Sequence, residues 1–358
     1  MSGGALIAGL LTQSTVFGNM QVAVISSIGQ TVLPALVFLV IYKSIRKKET
    51  CYNLLKVGYW AFALNVFLGL YTFASGSTMI DVFTKRMSFN FLGPNIYASA
   101  VQLFVPISFF YIYNSNTAFK RILYYIAFVI IILSMIFTMS RGGALSLLIG
   151  FVLLGIINRQ ARSPLKKISA IFIITILAVL PYVMKLFSRF FNIFTNSRVT
   201  EFSTLIRTSA WKASLDGAIR YPLGIGGNQF PLLWADMGRF PSELVLHSHN
   251  LMLGILVEYG FISFISFLVF IGIIIKKLYN AALNLEVKKE KLFSATLLVS
   301  IITYIIMGTV SEGPRCHLRQ NGDMFNHGII FFYIFLAVGL KFVNLVKNEE
   351  NSSVDSSA

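Results

Sequence analysis

Charged residues are scarce in this sequence. Asp, Glu, Lys and Arg make up 12% of its 358 residues, whereas 56% are apolar, and the mean hydropathy is +0.74. Because these values lie far outside the range of soluble domains, they exclude a soluble globular enzyme or binding module. The few charges stand between apolar runs of roughly 14 to 25 residues, most of them near the length that a helix needs to cross a membrane. The composition therefore predicts an all-α, polytopic integral membrane protein.

Cysteines, repeats and targeting signals are also sparse. The two Cys residues, Cys51 and Cys316, fall on opposite sides of the membrane in the predicted topology, so they cannot form a disulfide with each other. The sequence has no internal repeat, and its first residues lack the basic region of a cleavable signal peptide. We therefore expect the first spans themselves to target the chain.

The apolar runs predict about nine transmembrane helices. Loops on one side of these helices carry 18 of the 30 basic residues, which makes that side cytoplasmic and puts the N-terminus outside. We expect six spans within residues 1–187, a long outer loop with short helices at 188–248, three spans within 249–347 and a disordered cytoplasmic tail at 348–358. The predicted spans are 22–42, 54–75, 96–112, 122–137, 144–157, 168–187, 251–275, 293–307 and 329–345.

The two kinds of basic residue separate by side. The cytoplasmic side holds 14 Lys and 4 Arg, whereas the outer side holds 3 Lys and 9 Arg, together with all four His residues. The positive-inside rule needs only positive charge, which Lys supplies. The planar guanidinium fork of Arg, however, binds phosphate or pyrophosphate better than an ammonium group does. The net charge of +16 therefore reflects topology and an outer phosphate site, and we expect no nucleic acid as a partner.

The rest of the chain is organised around the stretch from Leu246 to Gly260. A polar loop that carries His247 and His249 runs directly into the apolar segment 251–275. Polar groups at the mouth of a membrane span are costly and tend to be functional, which makes His249 the leading candidate for a catalytic residue. Gly260 interrupts the apolar segment, so the helix either tilts or bends there.

Two further outer stretches carry arginines. In the segment FTMSRGG, residues 137–143, two glycines favour a tight turn that holds Arg141 near the outer hydrocarbon boundary. In the long outer loop, the apolar periodicity of residues 201–222 predicts an amphipathic helix. Arg207 and Trp211 lie four residues apart on this helix and therefore share a face.

These three motifs, in this order, resemble the O-antigen polymerase and O-antigen ligase superfamily. SRGG opens a span, an R-x-x-x-W helix lies in the outer loop, and H-N-x-x-L followed by E-x-G enters the next span, over about residues 137–275. The resemblance implies an all-helical membrane glycosyltransferase of the GT-C type whose donor is a glycan on undecaprenyl pyrophosphate. It also implies that His249 is catalytic and that Arg141 and Arg207 bind the pyrophosphate. We expect four residues to support these three: His247, Asn250, Trp211 and Arg315.

The chemistry implied by the resemblance needs a base, a place for the charge of the leaving group, and alignment. An imidazole, with an ordinary pKa of about 6.5, takes a hydroxyl proton at neutral pH, and arginines stabilise a departing pyrophosphate. One base without a paired acid corresponds to a single displacement with inversion. The outer carboxylates form no D-x-D motif. The pair His247-x-His249 could be half of a metal site, but further ligands at useful spacing are missing, so we expect neither a metal nor another cofactor.

Three functions are compatible with the sequence. A polymerase transfers the growing glycan to a sugar hydroxyl of a lipid-linked repeat unit, a ligase transfers it to lipid A core, and a transporter binds the lipid-linked glycan without chemistry. The chain is short and its N-terminal half matches the superfamily only in type, which favours the polymerase. We expect as partners an undecaprenyl pyrophosphate-linked donor and acceptor, membrane lipids and a chain-length regulator. The expected location is the bacterial inner membrane, with the active site on the periplasmic side.

Overall fold

The computed structural model describes residues 28–74, 80–81, 86–87, 94–158, 198–238, 245, 247–310 and 327–355. A π-helical turn, Ile28–Val32, precedes the first α-helix, and two-residue strands β1 (Ile80–Asp81) and β2 (Arg86–Met87) pair in antiparallel register. The helices within the described residues are α1 (Leu33–Ser44), α2 (Lys48–Ala74), α3 (Pro94–Tyr113), α4 (Ala118–Phe137), α5 (Arg141–Ile157), α6 (Arg198–Arg220), α7 (Phe230–Asp236), α8 (Leu251–Asn284), α9 (Lys288–Val310) and α10 (His327–Asp355).

The helices make the chain a multi-pass membrane protein. In the described part of the chain, six helices are long and apolar enough to cross a membrane, namely α2, α3, α4, α8, α9 and α10. Two shorter apolar helices, Ile28–Ser44 and Arg141–Ile157, coincide with the first and fifth predicted spans. The predicted span 168–187 lies outside the described residues, and each of the other predicted spans coincides with a helix. The predicted all-α, polytopic class is therefore confirmed.

The chain divides into two compact units. The first unit comprises residues 1–37, 187–272 and 305–330, and the second comprises 38–186, 273–304 and 331–358. The core of the first unit lies between α6, α7 and the start of α8. Small residues on one face of α6 let α7 approach closely, because a Cβ at Gly217 would lie 2.6 Å from Leu233 Cδ2. The fully buried members of this core are Ala210, Ala213, Ile225, Phe230, Leu233, Trp234, Val245 and Val257.

In the second unit, α3 is the most deeply buried of the described candidate spans. Of the residues in its most apolar stretch, 94% are buried inside the protein. Pro106 within this helix has no backbone N–H, so the carbonyl of Gln102, one turn earlier, loses its usual partner. The hydroxyl of Thr303 on α9 lies 3.2 Å from that carbonyl and 2.8 Å from Val299 O of its own helix, so it is shared between them. Ser300 donates to the next carbonyl of α3, Leu103 O, at 2.7 Å. Since hydrocarbon offers no hydrogen bonds, such side-chain donors are what makes a proline tolerable inside a membrane helix.

An ion cluster joins three helices of the second unit. The Lys48 ammonium at the start of α2 lies 2.8 Å from Glu290 Oε1 on α9 and 2.6 Å from Glu349 Oε2 on α10. The Glu290 side chain is only 6% exposed, so its charge needs this partner. The Lys48–Glu290 pair therefore ties the start of α2 to α9, and the more exposed Glu349 adds a weaker contact from α10.

Candidate functional site

Asn250 builds the start of α8 and ties it to the end of α9. Its side-chain Oδ1 accepts hydrogen bonds from the backbone N–H groups of Met252 (2.9 Å) and Leu253 (3.1 Å), so Asn250 acts as the N-cap of the helix. Its Nδ2 donates to the carbonyl of Thr309 in the last turn of α9, at 2.9 Å. One amide thus satisfies two N–H groups at one helix end and a carbonyl at another.

His249 lies directly before this cap, in a conformation that side chains rarely adopt. Its φ of 52° is in the left-handed region, where a residue with a Cβ stores strain. The residue is half-buried, and its Nδ1 lies 3.2 Å from Nε2 of His247, with the ring centroids 4.3 Å apart. His247 itself is only 9% exposed. The sequence-predicted base is thus held by a strained turn and by a second, buried imidazole.

Arg207 contacts the same end of α9. Its guanidinium Nη1 donates to the carbonyl of Val310 at 3.2 Å, and Val310 follows Thr309, whose carbonyl accepts from Asn250. The C-terminal end of a helix carries partial negative charge, which favours a guanidinium there. The structure therefore brings two sequence-predicted site residues, Arg207 and Asn250, to adjacent carbonyls, with His249 next to Asn250 in the chain.

Trp211 lies one turn after Arg207 on α6. The indole is partly buried, and its Nε1 is buried without a hydrogen-bond acceptor among the residues that the structure describes. Buried indole N–H groups normally have an acceptor, which the described residues do not supply here. The predicted position of Trp211 on the Arg207 helix is confirmed by the range of α6.

The bend in α8 is a feature that the sequence left open and the structure decides. Gly260 has φ 79° and ψ 174°, so the helix breaks there rather than continuing at a tilt. The backbone groups exposed by this break pair with the turn before α7: Ile225 N donates to Val257 O, Gly226 N to Glu258 O, and Phe261 N to Pro222 O, at 2.9–3.0 Å. The glycine-rich turn that follows α6 therefore braces the broken helix. The glycines of this turn and Gly260 are visible in the sequence, about 35 residues apart. The sequence does not show, however, that the two stretches contact each other.

Arg141 lies in the second unit, as the first residue of α5. The sequence assigned the tight turn before it to Gly142 and Gly143, and this assignment is corrected by the backbone. The left-handed residue of the turn is Met139, with φ 49°, and Ser140 caps α5 by accepting from Gly143 N at 3.3 Å. Gly143 is helical, and a Cβ there would meet the side chains of Met135 and Ala98 on neighbouring helices.

Two expectations about the site are left as predictions by this structure. Whether Arg141 shares a ligand with Arg207 stays a prediction, because the two residues belong to different units. Arg315 lies outside the described residues. Within the described ranges, no group of three His, Cys, Asp or Glu residues is arranged to hold a metal ion, so neither His247 nor His249 is part of such a group there.

Comparison with known proteins finds a family that one part of this chain resembles. Residues 126–268 match the model of a family described as O-antigen ligase. The matched segment includes α5, α6 and α7 and the first half of α8, and hence the Ser140–Gly143 motif, the Arg207 helix and the His249 turn. No curated protein matches the chain. The resemblance seen in the three sequence motifs is confirmed.

Proposed function

We propose, from the match of residues 126–268 to an O-antigen ligase family, that the chain is an O-antigen polymerase of the bacterial inner membrane. It transfers a growing glycan from undecaprenyl pyrophosphate to a sugar hydroxyl of a lipid-linked repeat unit, on the periplasmic side. The observation that carries the proposal is the arrangement at the end of α9. There Arg207 and Asn250 bind consecutive carbonyls, and His249 precedes Asn250 in a left-handed conformation.

In the proposed reaction, His249 is the general base. Its imidazole takes the proton of the acceptor hydroxyl while the hydroxyl oxygen attacks the anomeric carbon of the donor. The new glycosidic bond forms as the bond between that carbon and the pyrophosphate oxygen breaks. Undecaprenyl pyrophosphate leaves with the electron pair, without needing an acid, and the configuration at the carbon inverts. The reaction needs no metal, because arginines supply the positive charge.

Arg141 and Arg207 are the proposed binding residues for the pyrophosphate. A guanidinium presents five donors in a planar fork, a geometry that suits an anion with several oxygens, and Arg207 donates one of them to Val310 O. Placed where charge develops on the leaving group, such donors accelerate the reaction rather than merely tighten binding. Trp211, His247, Asn250 and Arg315 support this arrangement in the proposal.

A ligase is the second candidate, and it is favoured by the match to a family described as O-antigen ligase. Both enzymes use the same donor, base and arginines and differ only in the acceptor. The polymerase is preferred because the family match is confined to residues 126–268, while the parts outside it are free to suit one particular repeat unit. Deleting the gene separates them. A polymerase mutant displays core lipid capped with a single repeat unit, whereas a ligase mutant displays bare core and accumulates polymer on its lipid carrier.

A transporter of lipid-linked glycan would share the basic, arginine-rich outer surface but would make no new bond. The test is to incubate the purified protein in detergent with lipid-linked donor and acceptor. Product with a longer glycan supports the enzyme, and its absence in the presence of intact, folded protein supports transport. A chain-length regulator is a proposed partner of the polymerase, and adding it to the same assay should change the product length but not the presence of product.

A further inference from the structure

The second histidine of the site, His247, contacts the proposed base His249 directly. His247 Nε2 and His249 Nδ1 are 3.2 Å apart, which is hydrogen-bond distance, and the two rings meet edge to face at an interplanar angle of 71°. Two arrangements of protons satisfy this contact. Either His247 donates from Nε2 to His249, or His249 donates from Nδ1 to His247.

The two arrangements have opposite consequences for His249. A neutral imidazole carries one N–H and one bare nitrogen. If His247 donates, His249 accepts on Nδ1 and carries its own proton on Nε2, so neither nitrogen can receive a substrate proton. If His249 donates, its Nε2 is bare and can act as a base. The hydrogen bond of one ring nitrogen thus decides what the other can do.

We infer that His247 is a positioning residue that accepts the Nδ1–H of His249 and so keeps Nε2 of His249 unprotonated for the acceptor hydroxyl. The inference rests on the proposed function, because it takes His249 as the base. In the step itself, the proton moves from the hydroxyl oxygen to His249 Nε2. The Nδ1–H stays bonded to His247, which stabilises the positive charge that develops on the imidazolium.

The surroundings of the pair strengthen the contact between the two rings. His247 is 9% exposed, so water competes little for its Nε2, and a hydrogen bond in a dry environment is electrostatically stronger than in water. The turn between the two rings is also fixed. Ser248, 1% exposed, donates from Oγ to the carbonyl of Asn250 at 2.8 Å, and Asn250 is anchored to Thr309. The His249 ring is therefore held from its backbone and from Nδ1.

Nitrogen-15 labelling of histidine tests the inference directly. The chain has four His residues, so magnetic resonance of the labelled protein in lipid or detergent gives few signals, which His249→Ala and His247→Gln assign. We expect His249 at neutral pH to be protonated on Nδ1 and bare on Nε2. A His249 protonated on Nε2 in the unmodified protein would overturn the inference. This readout needs no activity, so it is independent of whether the proposed function holds.

Kinetics of two His247 variants provide the second arm. Gln places a carbonyl oxygen near the position of the imidazole Nε2 and retains an acceptor, whereas Leu has a similar volume and no acceptor. We expect His247→Leu to lower kcat roughly 100-fold with little change in KM, because it removes much of the general-base contribution. His247→Gln should keep kcat within about tenfold of the value for the unmodified enzyme, because the variant retains an acceptor for the Nδ1–H of His249.

The possible outcomes distinguish failure of the positioning role of His247 from failure of His249 as the base. Equal kcat for His247→Leu and His247→Gln would overturn the positioning role, even if His249→Ala is inactive. Full activity of His249→Ala would overturn the proposed base and leave the resonance result on the proton position standing. If His247→Leu does not fold, the proton position in the unmodified protein still decides.

Discussion

Gly224 and Gly260 lie backbone to backbone in the first unit. A Cβ at Gly224 would lie 2.7 Å from Gly260 N and 2.6 Å from Glu258 O, and a Cβ at Gly260 would lie 2.6 Å from Leu223 O. Both residues also have positive φ, 96° and 79°. The two glycines thus allow the turn after α6 to enter the break in α8, where it satisfies backbone groups that hydrocarbon could not.

The first prediction concerns Gly260→Ala. The conformation of Gly260, φ 79° and ψ 174°, belongs to a region that only glycine occupies readily, and the new methyl group would also meet backbone atoms that cannot move alone. We expect a destabilisation of about 3 kcal/mol or more, since backbone strain of this kind costs roughly 1–3 kcal/mol before any clash. The measurement is the apparent melting temperature of the protein in detergent.

Gly272→Ala is the matched control for this prediction. Gly272 lies in the same helix, and a Cβ there has nothing within 4 Å. Alanine favours the helix over glycine by about 1 kcal/mol, so this variant should melt at the same or a slightly higher temperature. Equal melting temperatures for the two variants would contradict the role assigned to Gly260.

The second prediction concerns His249→Ala. The variant should lose product formation, because general bases contribute roughly 10²–10⁴-fold to rates, while membrane insertion and donor binding are kept. Chain length of the polysaccharide in cells and binding of lipid-linked donor to purified protein are the two measurements. His247→Ala should be milder than His249→Ala, since His247 does not touch the reacting atoms. Polysaccharide of normal length in cells that carry only His249→Ala would refute the assignment.

The third prediction concerns arginine geometry. Arg207→Lys and Arg141→Lys should both be damaging, because an ammonium group cannot present two parallel donors to a pyrophosphate. At Arg207 the lysine can still reach one acceptor, so the loss should appear in product formation more than in folding. The quantity to compare is kcat/KM for the donor.

Arg220→Lys serves as the control for Arg207→Lys. Arg220 lies on the same helix α6, and its guanidinium pairs with Asp236 at 3.1 Å in a solvent-exposed ion pair, with the Arg220 side chain 60% exposed. Exposed pairs contribute about 0–1 kcal/mol, so this change should leave both stability and kcat/KM unaltered. If lysine serves as well as arginine at 141 and 207, pyrophosphate binding by these residues is wrong.

The fourth prediction uses the two functions of Asn250. Asn250→Asp keeps an oxygen for the cap of α8 but replaces the donor to Thr309 O with a second acceptor, which is repelled by that carbonyl. We expect α8 to form but the His249 turn to lose its anchor, so that kcat falls while helix content is unchanged. Asn250→Ala removes both bonds and should also lose about 1 kcal/mol from the missing cap. Unchanged kcat in Asn250→Asp would show that the link to α9 does not position the base.

The fifth prediction concerns the proline inside α3. Thr303→Val removes the only hydroxyl that the described residues offer to Gln102 O, the carbonyl left open by Pro106. Because the same hydroxyl also lies 2.8 Å from Val299 O within α9, we expect a cost of about 1 kcal/mol, the lower end of the range for an unsatisfied buried group. Thr296→Val is the control on the same helix. Thr296 is equally buried, but its hydroxyl bonds Phe293 O within α9, a carbonyl that has its own helical partner.

A double change completes this test. Pro106→Ala restores a backbone N–H one turn after Gln102, so it should recover most of the stability lost in Thr303→Val. A double-mutant cycle of melting temperatures measures the coupling between the two positions. Independent, additive effects would contradict the account of how the helix tolerates its proline.

Much of the fold was predictable because its causes are local. Apolar runs of membrane length, broken by charges, gave the class and the helix order, since hydropathy acts on each segment by itself. The amphipathic period around Arg207 predicted α6 for the same reason, and the polar loop before 251–275 identified His249 as unusual from its immediate neighbours. Gly260 was a visible interruption, although a glycine alone does not distinguish a bent helix from a tilted one.

Contacts between segments far apart in the chain were decided only by the tertiary structure. Arg207 and Val310 are 103 positions apart, and Asn250 and Thr309 are 59 apart, so no periodicity in the sequence connects them. The same holds for Gly143, where a Cβ would displace the end of the Met135 side chain and lie 3.1 Å from Ala98 Cβ, so packing between helices and not the turn beside it favours a glycine. The sequence states which groups each segment carries, but packing chooses their partners, because hydrogen bonds and close approaches depend on positions in space that composition does not encode.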